Sequence, residues 1–202
     1  LTMSKEKRGN LRAREKNSTL VEIDLKSCEP NFYLKSLGVE FSGDVYLEIA
    51  KQLDLDISNR SKFKRGILSV LYGASENTSK KILNCSGLKI QEIKDFFRLS
   101  EFKNYLEKQF SENGLIYNYY GRPICYKHNL VNYWIQSSAA DYCSFAFANL
   151  INTYKFKPCF FVHDSVTLCV QNQRLEEILR IERVIDPYSN IDIPIDVSVL
   201  SE

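Results

Sequence analysis

The chain has 202 residues and a mass of 23.5 kDa, enough for one well-buried core with at most a subdomain. Hydrophobic residues at 44% and charged ones at 26% are ordinary for a globular protein, and a net charge of +2 is too small to announce a nucleic-acid partner, which would have to be met by local clustering. Six cysteines (Cys28, Cys85, Cys125, Cys143, Cys159, Cys169) with no CxxC spacing, and only two histidines (His128, His163), argue against a zinc site and against a secreted disulfide framework. Reduced, mostly buried thiols in a cytoplasmic protein are expected, with no signal peptide or membrane span.

In chain order, residues 1–18 carry Lys5, Lys7, Arg8, Arg12, Arg14 and Lys16 against Glu6 and Glu15, a basic arm that either tracks phosphates or is simply solvated. LVEIDL at 20–25 alternates as a buried strand and delivers Asp24 near its end. SCEPNFYLKSLG reads as a turn into a short helix with Glu29 near its start. Residues 44–53 have helical spacing, with Val45, Ile49 and Leu53 on one face. A polar link, 54–59, offers Ser58 or Asn59 as the cap of the next helix. In RSKFKRGILSVLYGAS (60–75), Arg60, Lys64, Leu68 and Tyr72 recur every four residues and form one slanting stripe. Arg60 and Lys64 then project within about 6 Å of each other, a spacing suited to neighbouring phosphates. Leu68 and Tyr72 continue the stripe as apolar and aromatic surface, and Gly73 suits the helix stop.

Residues 79–83 and 89–110 read as helices, the second with a core stripe of Ile90, Ile93, Phe97, Tyr105 and Phe110. Residues 114–126 read as a hairpin turning at Gly121-Arg122, with Arg122 available to a backbone phosphate. Residues 129–153 form a long helical stretch. Its small residues Ser137 to Ala140 admit another backbone, and Asn132 and Gln136 share a face as amides able to read a minor-groove edge. CFFVHDSVTLCV (159–170) is a tight hairpin with Asp164 at its tip. A helix over 175–185 and a strand over 191–200 complete an α+β fold with a small antiparallel sheet, without repeats or a linker, as a single domain over 1–202.

RSKFKRGILSVLYG, with R-x-x-x-K followed after seven residues by Tyr-Gly, resembles the nucleotide-binding fingers helix of family A DNA polymerases and of the single-subunit phage-type RNA polymerases. DLKSCE (24–29) is similar to the first metal motif of that family, QSSAAD (136–141) to its palm helix, VHDS (162–165) to its last metal motif and IPIDVSVL to its closing strand. The resemblance implies a palm (about 19–44 and 127–202) and helical fingers (about 45–126), with no thumb or exonuclease domain. It implies two Mg²⁺ ions held by Asp24, Asp164 and the Leu25 carbonyl. Arg60 and Lys64 would bind the triphosphate, Lys64 as proton donor to pyrophosphate. Glu29 would exclude the ribose 2′-hydroxyl, Leu68 would lie along the nucleotide and Tyr72 near the templating base. Asn132 and Gln136 would touch the minor groove, His163 the primer end and Arg122 the DNA backbone.

The partners implied are primer–template DNA, deoxynucleoside triphosphates and a thumb- or exonuclease-bearing protein, in the cytoplasm of a cell or phage-infected host. Two departures stand out: Ser165 occupies a position where the DNA enzymes usually carry glutamate and the phage-type RNA enzymes read HDS, and Leu68 replaces an aromatic residue. Glu29 and QSSAAD favour the DNA branch. A fragment, a split enzyme and a minimal palm–fingers protein all remain open, as does a non-catalytic polymerase-derived accessory subunit or an RNA polymerase or primase.

Overall fold

In the computed structural model, which describes residues 11–40 and 43–201, the chain forms a mixed α/β fold with a small antiparallel sheet and many helices. It divides into two compact units, one made of the residues up to Phe32 together with Ala139 onward, the other of Tyr33–Ser138. Both cuts fall inside helices rather than linkers: α1 (Cys28–Ser36) and α7 (Leu130–Tyr154).

The first unit holds a sheet of strands β1 (Ser18–Leu25), β4 (Lys157–Val162), β5 (Ser165–Gln171), β6 (Arg183–Ile185) and β7 (Asp192–Ser201) in the order β4-β5-β1-β7-β6. β1 is central and antiparallel to both neighbours, as expected for a run rich in β-branched and aliphatic residues. Its faces differ because side chains alternate. Val21, Ile23 and Leu25 point to one side with Val166, Leu168 and Ile195 and are almost fully buried. Glu22 and Asp24 point to the other, in register with Ser165 and Thr167 of β5 and with Asp196 and Ser198 of β7. Phe32, Tyr142, Ala146 and Phe147 complete the core, the Phe32 and Tyr142 rings 5.7 Å apart and the Tyr142 hydroxyl donating to the Val184 carbonyl at 2.9 Å.

The second unit is mostly helical, with α2 (Val45–Gln52), α3 (Arg60–Leu71), α4 (Glu76–Leu83), α5 (Gly87–Phe96), α6 (Leu99–Asn113) and a two-stranded ladder of β2 (Ile116–Tyr117) and β3 (Pro123–Ile124). Its core centres on Tyr33, Phe97, Phe102 and Trp134, with the Tyr33 hydroxyl donating to the Phe97 carbonyl at 3.0 Å. Asn59, not Ser58, caps α3, its Oδ1 accepting from the Lys62 amide, while Ser58 bonds Asp56. Tyr72 closes the helix and Gly73 follows at φ 74°, the left-handed turn that a glycine makes without strain. Gly66 has a packing reason: a Cβ there would meet Leu83 Cγ at 2.3 Å, so α3 and α4 approach as closely as they do because the side chain is absent.

Five expectations change. Residues 89–110 form two helices, broken at Arg98, which adopts φ 50°. The buried residues on the second are Leu99 and Leu106, whereas Tyr105 is exposed. The stretch 175–185 is a one-turn helix, α8 (Leu175–Leu179), then β6, because an acid-rich amphipathic pattern this short cannot outweigh pairing with β7. The hairpin at 114–126 keeps only two residues per strand. All six thiols are free, but only Cys28 and Cys143 are buried, while Cys125 and Cys159 are exposed. The basic residues Lys5, Lys7 and Arg8 lie outside the described residues.

Candidate active site

At one end of the sheet the backbone brings two acids together. Asp24 sits directly opposite Ser165, and the Leu25 amide donates to the Asp164 carbonyl at 3.0 Å, so the ladder extends into the turn that carries Asp164. That turn is a two-residue connection, His163-Asp164, between the paired residues Val162 and Ser165. His163 takes φ 52°, unusual for a bulky side chain, and stands exposed; a two-residue hairpin needs positive φ to match the strand twist. The Ser165 hydroxyl reaches the Val162 carbonyl at 2.9 Å and closes the turn on itself. Asp24 is exposed and Asp164 half-buried.

After Asp24 the chain turns through Ser27, at φ 49°, into α1, whose first turn carries a half-buried Glu29. Cys28 is packed against Cys143 with 3.6 Å between sulfurs. Contact with the Cys143 thiol, then burial, holds the Cys28 thiol well above its ordinary pKa, so it is no nucleophile. Two further acids lie on the same face and were not singled out from sequence. Asp196 is directly opposite Asp24 on β7, with its carboxylate 2.9 Å from Lys26 Nζ, and Glu22 is buried two residues before Asp24. The signal for Asp196 was the single acid inside the alternating IPIDVSV run; nothing local marked Glu22.

The donor set suits a hard divalent cation. Asp24 and Asp164 on adjoining backbone positions give two carboxylates on a rigid support, and Mg²⁺ is commonly held by one or two carboxylates with water and substrate oxygens completing its shell. Among the described residues no group of three or more acidic, histidine or cysteine side chains is placed to hold a metal.

In the second unit, α3 presents Arg60 and Lys64 exposed and Leu68 and Tyr72 half-buried. Arg60 is already engaged: its Nε donates to Asp44 Oδ2 at 3.0 Å, and its guanidinium lies over the Tyr46 ring, 5.5 Å from the centroid. Asp44 also caps α2, accepting from the Tyr46 amide at 2.8 Å. Partial burial pushes the Asp44 carboxyl up, but the Arg60 fork and the helix amides outweigh it and hold the group below the usual carboxylate range. Lys64 makes no ion pair among the described residues.

Tyr72 and Gly73 line an open cleft of about 260 Å³ with Lys127, His128 and Asn132. The Asn132 Oδ1 is buried without a donor among the described residues, and Gln136, one turn on, is exposed. Arg122, placed by sequence at a DNA backbone, donates to the Ser137 carbonyl at 2.9 Å.

No protein-family model and no curated protein sequence matches the chain. Among solved structures it is similar to the polymerase domain of Pol1 from M. smegmatis, solved in complex with DNA primer-template and dNTP, at a TM-score of 0.65 and 14% identity. The match covers 95% of this chain and 43% of that one. The fold is therefore polymerase-like, and the chain spans less than half the length of this neighbour. Among the described residues no helix is long and apolar enough to cross a membrane.

Proposed function

We propose that the chain is the palm-and-fingers part of a template-directed DNA polymerase of the family A type, adding deoxynucleotides to a primer 3′ end. The observation that carries this is the union of Asp24 and Asp164 through the backbone ladder of a polymerase-like sheet. Asp24, Asp164 and the Leu25 carbonyl would hold Mg²⁺, which when bound in a pair activates the primer hydroxyl and neutralises the leaving pyrophosphate. Arg60 and Lys64 bind the triphosphate, and Lys64 gives a proton to the leaving group. Arg60 must trade its Asp44 partner for phosphate oxygens, a like-for-like exchange of one charge-assisted bond for another. Glu29 excludes the ribose 2′-hydroxyl. Leu68 packs along the nucleotide, Tyr72 lies at the templating base, and Asn132 and Gln136 read the minor groove. His163 contacts the primer end and Arg122 the backbone. A thumb- or exonuclease-bearing partner belongs to the same proposal.

Ser165, where a further acid is usual, favours a second reading: a non-catalytic DNA-binding subunit. An RNA polymerase or primase is the third, since VHDS fits it equally. Primer extension on a DNA template with Mg²⁺ at low salt separates the three. Deoxynucleotide addition by the wild type that disappears in Asp164→Ala supports the proposal. Addition of ribonucleotides instead moves the protein to the RNA branch. DNA binding without any addition leaves the accessory-subunit reading.

A further inference from the structure

We propose that Glu22 lends a third negative charge to the cation site framed by Asp24 and Asp164, as a positioning residue rather than a metal ligand; this rests on the polymerase reading above. Glu22 lies two residues before Asp24 on β1, so both side chains leave the same face of the sheet. It is 3% exposed, and its partners in register are Thr167 on one side and Ser198 on the other. The Ser165 hydroxyl, which shares its one proton between the Val162 carbonyl at 2.9 Å and Glu22 Oε1 at 3.1 Å, joins it to the site. Ser165 is also the residue directly opposite Asp24 and the one immediately after Asp164, so one serine touches all three acids through a side-chain bond, a ladder position and a peptide bond.

A carboxylate at a nearly sealed position of a central strand is costly, and a valine there would serve packing better. The residues in register with Glu22 and Asp24, namely Ser165, Thr167, Asp196 and Ser198, are all polar, while Leu20 and, one strand further on, Phe160 and Val162 give the rest of this face an apolar surround. Within a protein interior a charge one residue row away from a bound cation is screened far less than in water. Glu22 thereby strengthens cation binding at Asp24 and Asp164 while Ser165 fixes the distance between them.

Glu22→Gln tests this, because the amide keeps the volume and the acceptor for Ser165 but removes the charge. Mn²⁺ binding to the full chain is measured by the free-ion electron paramagnetic resonance signal, alongside the thermal midpoint. Binding should weaken about tenfold with an unchanged or higher midpoint. Glu22→Gln/Ser165→Glu, which moves the carboxylate to the other end of the same hydrogen bond, should restore it to within about threefold. Mn²⁺ affinity of Glu22→Gln equal to wild type overturns the inference, whatever the midpoint does. Should Glu22→Gln fail to fold, Glu22→Asp serves: retained affinity agrees with a charge effect, and loss equal to that of Glu22→Ala rejects it. If Asp164→Ala also leaves Mn²⁺ binding unchanged, the polymerase reading fails; if it abolishes binding while Glu22→Gln does not weaken it, only the role of Glu22 fails.

Discussion

The acids of the sheet and the cations of α3 are held by different kinds of bond. Asp24 and Asp164 owe their meeting to main-chain pairing, Asp24 opposite Ser165 and the Leu25 amide on the Asp164 carbonyl. Arg60 is placed by its side chain, through Asp44 and the Tyr46 ring, and Lys64 projects with no such support. On the proposed reading, the metal-binding acids sit on backbone and the triphosphate-binding cations on long side chains. Each half of that contrast can be attacked separately.

The sharpest attack removes a sheet acid. Asp24→Ala or Asp164→Ala should cut extension about a thousandfold, several kcal/mol of lost charge stabilisation, with a thermal midpoint close to wild type because the ladder is untouched. A large loss of midpoint would mean that the carboxylates hold the strands, and the contrast would collapse. Next in size, Arg60→Ala should raise the nucleotide KM ten- to a hundredfold, the value of one or two charge-assisted bonds, with a smaller change in kcat.

A third test isolates the Asp44–Arg60 pair. Asparagine caps a helix as well as aspartate does, so Asp44→Asn removes the ion pair and leaves the cap. With the pair partly exposed, neutral-pH stability should fall by about 0.5–1 kcal/mol, and nucleotide affinity should rise as Arg60 is released. The pH dependence has a definite sign. Asp44 is held below the usual carboxylate range in the folded chain, so its contribution is complete above that range and disappears as pH falls through the depressed value. Denaturant midpoints of wild type and Asp44→Asn should therefore differ at pH 7 and converge as pH falls below the usual carboxylate range. Gly66→Ala tests the packing of α3 on α4. The clash with Leu83 costs about 1–3 kcal/mol, helix propensity returns up to about 1, and a net loss of about 1 kcal/mol should appear in the melt. The smallest expected effect is at the turn. His163→Gly relieves the positive φ and should gain less than about 1 kcal/mol, while weakening the primer contact proposed for the imidazole.

What was legible in the sequence was local. Asp24 at a strand end, Asp164 at a hairpin tip and the stripe from Arg60 to Tyr72 follow from periods of two and four within a few residues, and all three stand where expected. What was hidden depended on distant partners or on unfavourable backbone. The break at Arg98 needs a non-glycine residue in a left-handed conformation, which no composition rule announces. β6 is three residues long and exists because β7 pairs with it. Asp196 and Glu22 gained meaning only from the strand order, since neither lies near Asp164 in the chain. Arg60 was correctly read as a helix-surface cation, but its engagement with Asp44 spans 16 residues and a loop.

The central strand has a consequence for how the protein is born. β1 finds its partners only in β5 and β7, and the bond from Glu22 to Ser165 closes over 143 residues. At ordinary translation speeds β5 emerges roughly ten to thirty seconds after β1. In that interval the helical stretch 33–138 is complete and can fold on short-range contacts, while LVEIDL waits as an unpaired apolar strand. The acid pair is thus among the last features to form, and a chain whose synthesis stopped before the β4–β5 hairpin would have its cationic helix intact and its acid pair unmade.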